Sequence, residues 1–148
     1  MMDNDTAVAQ MLAAKAAAGL TYVQIAERVG HAPVWVASAL HGQQSMGAAD
    51  AALLGEVLAL SAEVVALLQT YREKGHLATV PPTDPLLYRL HEINLVYGTA
   101  IKALITEEFG DGIMSAIDFR MDITRKADPA GDRVVITLDG KFLPYRVF

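Results

Sequence analysis

Residues 83–119 read TDPLLYRLHEINLVYGTAIKALITEEFGDGIMSAIDF, and this stretch decides the fold. Thr83 or Asp84 caps a helix, and Pro85 suits its first turn, where the missing N–H costs nothing. Leu86, Leu90, Ile93, Tyr97, Ile101 and Leu104 follow at steps of three and four, one apolar stripe on a helix. The pattern predicts a helix reaching about Phe109 and stopping before Gly110. Gly98 lies inside it, at a cost of ~1 kcal/mol relative to alanine. Close approach of another backbone and simple tolerance of a weak spot both account for that glycine. Beyond an Asp111-Gly112 turn that carries Ser115, the period changes. Ile117, Phe119, Met121 and Ile123 alternate with Asp118, Arg120, Asp122 and Thr124, the pattern of a half-buried strand.

Downstream, ADPAGD (127–132) reads as a loop and 134–138 as a second strand. Asp139-Gly140 is a strong hairpin-turn signal leading into the tail KFLPYRVF. One helix and two or three strands make a marginal core. Their open edges invite pairing with another chain, so the C-terminal part is predicted to form an obligate oligomer; the alternative is that the sheet packs on its own bundle.

Upstream, HLATVPP (76–82) reads as a linker, because the proline pair forbids helix. Before it the pattern predicts five short helices. The first covers 3–18 and stops at Gly19. The second starts at Tyr22 behind a Thr21/Gln24 capping box and ends at Gly30. The third has Pro33 in its first turn and runs to about His41. The fourth spans 48–60, with Ala52, Leu53, Val57 and Leu60 apolar. The fifth spans 62–73 and is closed by Gly75. The expected fold is therefore mainly α with a small β part: a helical bundle over 1–75, the linker over 76–82, and a catalytic and oligomerisation domain over 83–148.

Within the bundle, TYVQIAERVGHAPVWVASALHG has the lengths of a helix-turn-helix of the lambda-repressor-like type. Its second helix holds no Arg, Lys, Asn or Gln, so it lacks groups for base edges and phosphates. A packing motif is the better reading than a DNA reader. The net charge of −5 agrees with that, since it disfavours a nucleic-acid partner. The chain has 148 residues, 53% hydrophobic and 20% charged, enough to bury a sizeable core. It contains no cysteine, which removes disulfides and thiolate metal sites. The acids in MMDNDTAVAQ argue against a signal peptide, and no apolar run is long enough to span a membrane, so the expected location is cytoplasmic.

Arg89 and Glu92 stand three apart and project from one side of the long helix. Taken alone they read as an exposed ion pair worth ~0.2–0.5 kcal/mol, and Ser115 as a residue ending a turn. His91, Asp111 and Ser115 include the residue types of a hydrolase triad, but no GxSxG surrounds the serine. The four histidines show no metal-ligand spacing, and no nucleotide-binding glycine motif occurs.

The order YR, E, VYG, KAL, FGDGI and SAI, with ADPAGDRVVITLDGKFLP after it, resembles the cyanase (cyanate hydratase, cyanate lyase) family. The match is dense from about Pro82 to Pro144 and looser over the bundle. The resemblance implies a lyase that decomposes cyanate with bicarbonate to ammonia and carbon dioxide, through a dianionic adduct and carbamate. It implies no metal or organic cofactor, and Arg89, Glu92 and Ser115 as catalytic residues. It also implies a homodecamer of five dimers with interlocked C-terminal parts, active sites between dimers, and a repressor-like N-terminal domain that does not bind DNA. The chain departs from the pattern at Asn94-Leu95, where the polar amide sits one place early, and at His91, where an aromatic residue is usual. Two alternatives stand beside this reading. One is a helix-turn-helix regulator with a C-terminal dimerisation domain; the other is an oligomeric scaffold without turnover.

Overall fold

The computed structural model describes residues 2–71 and 80–147. Asp3 accepts the backbone N–H of Thr6 at 2.7 Å and opens α1 (Asn4–Ala18). Gly19 closes that helix in the left-handed region at φ 64°. Thr21 and Gln24 form the reciprocal capping box that starts α2 (Tyr22–Val29). Pro33 opens α3 (Pro33–Leu40), and α4 (Ala48–Leu58) and α5 (Ala62–Leu68) complete the bundle.

Two of these helices end earlier than the sequence pattern predicts. α4 stops at Leu58 because Ala59 turns left-handed at φ 51°, and the Leu60 N–H bonds back to the Gly55 carbonyl. α5 stops at Leu68 and not near 73. The N–H groups of Gln69 and Thr70 take the carbonyls three residues back, and Thr70 Oγ1 donates to the Leu67 carbonyl at 2.7 Å. Residues 72–75 of that predicted helix, and 76–79 of the predicted linker, lie outside the described residues.

The bundle has one core. Met11, Ile25, Val36, Leu40, Leu54, Val64 and Leu68 are its largest fully buried side chains, one or two from each of the five helices. α1 packs on α3, α4 and α5, while α2 packs on α3 and α4. On α4 the buried face is Ala51, Leu54 and Leu58, with Leu53 left exposed.

The chain divides into two compact units, Met1–Gly75 with Asp122–Thr124, and His76–Met121 with Arg125–Phe148. The second unit is built on α6 (Pro85–Phe109), 25 residues long. Asp84 caps it, accepting the N–H groups of Leu86 and Leu87 at 2.9 Å each. Gly110 ends it, its N–H on the Thr106 carbonyl. Two strands follow, β1 (Gly112–Lys126) and β2 (Arg133–Pro144), paired as a two-stranded sheet. The fold is thus mainly helical with a small β part, as the sequence pattern predicts, and the strands number two.

Two local readings are corrected here. Ser115 lies inside β1, which begins at Gly112, and not in a turn before the strand. Asp139-Gly140 makes no hairpin turn; β2 runs straight through it. The reversal comes at 127–132, where Asp128 accepts the N–H of Ala130 on its side chain and that of Gly131 on its carbonyl. The reason for Gly140 is contact across the sheet: a Cβ there would run into the Ser115 carbonyl oxygen.

No residue of α6 is buried in the single chain. Its apolar side chains, from Leu86 and Leu90 to Ile101 and Leu104, stand exposed, and so do Ile117 and Ile123 on β1. Phe119 and Met121 between them are half-buried, so the single chain covers this face of β1 only in part. What ties the hairpin to the helix is at its C-terminal end. Phe109 and Phe142 pack with ring centroids 5.4 Å apart, and the Tyr145 N–H donates to the Asp111 carbonyl at 3.1 Å.

Candidate active site

Arg89 and Glu92 sit one turn apart near the start of α6, and the guanidinium NH1 donates to Glu92 Oε2. Residues three apart lie on one side of a helix, so the spacing alone brings the pair together. The two are unequal in exposure: the Arg89 side chain is 67% exposed and that of Glu92 38%. The carboxylate thus lies closer in, holding one edge of a guanidinium whose remaining donors project outward. Planar and permanently charged, that group is suited to gripping an oxyanion with two parallel N–H donors.

Ser115 is 6% exposed, the one buried polar residue among those described. Its Oγ accepts two backbone N–H groups, from Ile117 at 3.1 Å and Asp118 at 2.9 Å. A hydroxyl oxygen has two acceptor positions and one proton to give. Both acceptor positions are taken, so what Ser115 has left to offer is its O–H as a donor. The two N–H partners were not foreseen from the sequence. The signal for them was present, since serine commonly takes the N–H groups two and three residues on.

The residues flanking Ser115 are held by β2. Gly140 lies against the Ser115 carbonyl and the Met114 side chain, and Gly112 lies against the Leu143 carbonyl and Pro144 Cα. Lys141, next to Gly140, pairs with Asp118 at 3.8 Å. Between α6 and the start of β1 runs a cleft of about 350 Å³, with Gly98, Lys102 and Thr106 on the helix side and Gly112 and Met114 on the strand side. β1 therefore begins alongside the second half of α6. Arg89 lies nine residues before Gly98, about 14 Å along a helix axis. The spacing brings Arg89 and Glu92 together, while Ser115 lies on β1, next to the Met114 that lines this cleft.

The remaining residues of interest have other surroundings. His91 stacks loosely with Tyr88, ring centroids 6.2 Å apart, and the Asp111 carbonyl holds Tyr145. With Ser115 Oγ occupied by backbone donors, the triad reading gains no support. Gly98 has only the Asn94 side chain close by, with Oδ1 3.2 Å from where a Cβ would stand. Among the described residues, no helix is long and apolar enough to cross a membrane.

Comparison with known proteins covers both units. Residues 5–71 match the family model described as cyanate hydratase, N-terminal, and residues 79–147 match that of the cyanate lyase C-terminal domain. A cyanate hydratase of Thiobacillus denitrificans is 53% identical over 147 residues, covering 99% of this chain and 100% of the relative. That of Dechloromonas aromatica is 57% identical over 129 residues, covering 87% and 88%. Among solved structures, the crystal structure of cyanase from T. urticae superposes with a TM-score of 0.84 at 40% identity, covering 94% of this chain and 97% of that one. With relatives at this identity along nearly its whole length, the chain belongs to the cyanate lyase (cyanate hydratase) family.

Proposed function

We propose that this protein decomposes cyanate with bicarbonate, and that Arg89, Glu92 and Ser115 carry the reaction. Membership of the cyanate hydratase family over both units is the observation that carries the activity. The residue roles are argued from chemistry. A bicarbonate oxygen attacks the cyanate carbon, joining two monoanions into a dianionic adduct. Protonation at nitrogen and loss of carbon dioxide leave carbamate. A second proton releases ammonia and another carbon dioxide, so OCN⁻ + HCO₃⁻ + 2H⁺ gives NH₃ + 2CO₂. Negative charge accumulates as the two anions meet, and fixed donors aimed at it lower the barrier.

Arg89 is the source of positive charge in this proposal. Glu92 orients it, in keeping with the contact between the two, and also passes a proton toward the cyanate nitrogen. Ser115 acts as a hydrogen-bond donor to an oxyanion and not as a nucleophile. Bicarbonate supplies the attacking oxygen, and the Ser115 lone pairs already receive two N–H groups. Holding both anions in attack geometry supplies a further ~7–11 kcal/mol at best. None of these steps calls for a metal or organic cofactor.

The working enzyme is an oligomer, in which Arg89 and Glu92 of one chain meet Ser115 of another. The absence of any buried side chain on α6 supports this, its apolar stripe from Leu86 to Leu104 standing exposed. The family resemblance sharpens it to a decamer of five dimers with interlocked C-terminal parts. The decisive assay follows ammonia release from cyanate with bicarbonate varied, before and after exhaustive treatment with a chelator. Turnover that rises with bicarbonate and survives the chelator supports the proposal; no turnover at saturating bicarbonate rejects it.

A further inference from the structure

Asp139-Gly140 carries a strong hairpin-turn signal, and yet it lies within a strand. The glycine is not needed for its backbone conformation, because Gly140 is absent from the positive-φ glycines Gly19, Gly30, Gly42, Gly110 and Gly131. Any residue adopts an extended backbone. What excludes a side chain is its neighbour: a Cβ on Gly140 would overlap the Ser115 carbonyl oxygen and Met114 Cγ, with Met114 Sδ at 3.2 Å. The methionine has rotamers to move through. The carbonyl does not, since it moves only with the Ser115 peptide itself. Three residues earlier, Gly112 is pressed against the Leu143 carbonyl and lies 2.9 Å, by its absent Cβ, from Pro144 Cα. The segment from Gly112 to Ser115 is thus clamped to β2 at both ends by glycines, and the Ser115 peptide has one place to be.

We propose that Gly140 is a positioning residue for the reaction, setting the location of the Ser115 hydroxyl by letting the β2 backbone lie directly on the Ser115 carbonyl. This rests on the donor role assigned to Ser115. A methyl group at 140 displaces the Ser115 peptide, and with it the Oγ that receives the N–H groups of Ile117 and Asp118. A donor shifted by about 1 Å from its place costs on the order of 10²-fold in rate.

The test is a double-mutant cycle in the full-length protein, reading bicarbonate-dependent ammonia release. Gly140→Ala is expected to lower kcat ~10²-fold with molecular mass and circular dichroism unchanged. In a Ser115→Ala background the same change is expected to cost less than about 3-fold, because no hydroxyl remains to be misplaced. Gly140→Ala/Met114→Ala, compared with Met114→Ala alone, removes the side-chain part of the clash and leaves the carbonyl part; it should show the same loss as Gly140→Ala. An equal cost in both backgrounds overturns the proposal, as does near wild-type turnover of Gly140→Ala beside an impaired Ser115→Ala. Failure of both Gly140 variants to reach the wild-type mass also overturns it, since the glycine would then serve the hairpin as a whole. If Ser115→Ala alone keeps full turnover, it is the role of Ser115 that falls, and Gly140 with it.

Discussion

Asp118 donates its backbone N–H to Ser115 Oγ at 2.9 Å, three residues back along the same strand. Together with the N–H of Ile117 this occupies both acceptor positions of the hydroxyl and leaves its proton free to be given. Ser115→Ala should therefore lower kcat by ~10²–10³-fold, the usual loss for one oxyanion donor. Acid quench and mass spectrometry during turnover should show no mass added to the peptide holding Ser115. A covalent adduct there would refute the donor assignment.

Arg89 tests geometry separately from charge. Arg89→Ala should reduce turnover by at least ~10²–10³-fold. Arg89→Lys keeps the charge but replaces a planar fork with a point charge. We expect it to recover only a minor fraction of the lost rate, with KM for bicarbonate raised. Full recovery by lysine would mean that charge alone suffices.

The exposed surface of α6 is tested by adding charge to it. Ile101 and Leu104 belong to its apolar stripe and are both exposed in the single chain. Ile101→Asp/Leu104→Asp should yield smaller species in analytical ultracentrifugation and abolish turnover, if each site draws residues from two chains. Single chains that remain active would remove the shared-site idea.

The bundle is tested apart from the site. Leu54 is fully buried among the helices of the first unit. Leu54→Ala should cost ~2–5 kcal/mol, read as a lower denaturant midpoint for that unit.

Asp3 supplies a dependence on pH. The N–H of Thr6, ahead of weaker contributions, holds its carboxyl below the ordinary value of 3.8. A lowered carboxylate pKa stabilises the fold above the unfolded value, and the gain disappears as pH falls through the folded one. At neutral pH the Asp3→Ala chain should melt at a lower temperature than wild type. The two melting curves should begin to approach each other as the pH falls past 3.8 and meet only below the lowered folded value.

The parts of the fold that could be read from the sequence are those settled within one turn of chain. Thr21 with Gln24, Asp84 with Pro85, and Gly19 and Gly110 at helix ends all act on neighbours, and each behaves as its residue type predicts. The misreadings concern contacts between distant residues. Gly140 has the local chemistry of a turn, but it faces Ser115, 25 residues away, and that contact decides its place. Ser115 looked like a turn residue for the same reason, since its partner strand is not visible in its own neighbourhood. The face of β1 was legible as apolar, yet in the single chain Ile117 and Ile123 stand exposed while Phe119 and Met121 are half-buried. At the candidate site, the Arg89–Glu92 pair followed from spacing alone, whereas the two N–H groups on Ser115 needed the strand's actual course.

A helix of 25 residues without one buried side chain has a consequence for synthesis. A nascent chain leaving the ribosome can finish its N-terminal bundle by itself, but its second half emerges with its apolar surface bare. If the assembly proposed above is what covers it, that half is a target for chaperones and proteases until it meets a sister chain. Yield in the cell should then rise more steeply than in proportion to messenger level, because the encounter that rescues each chain is second order.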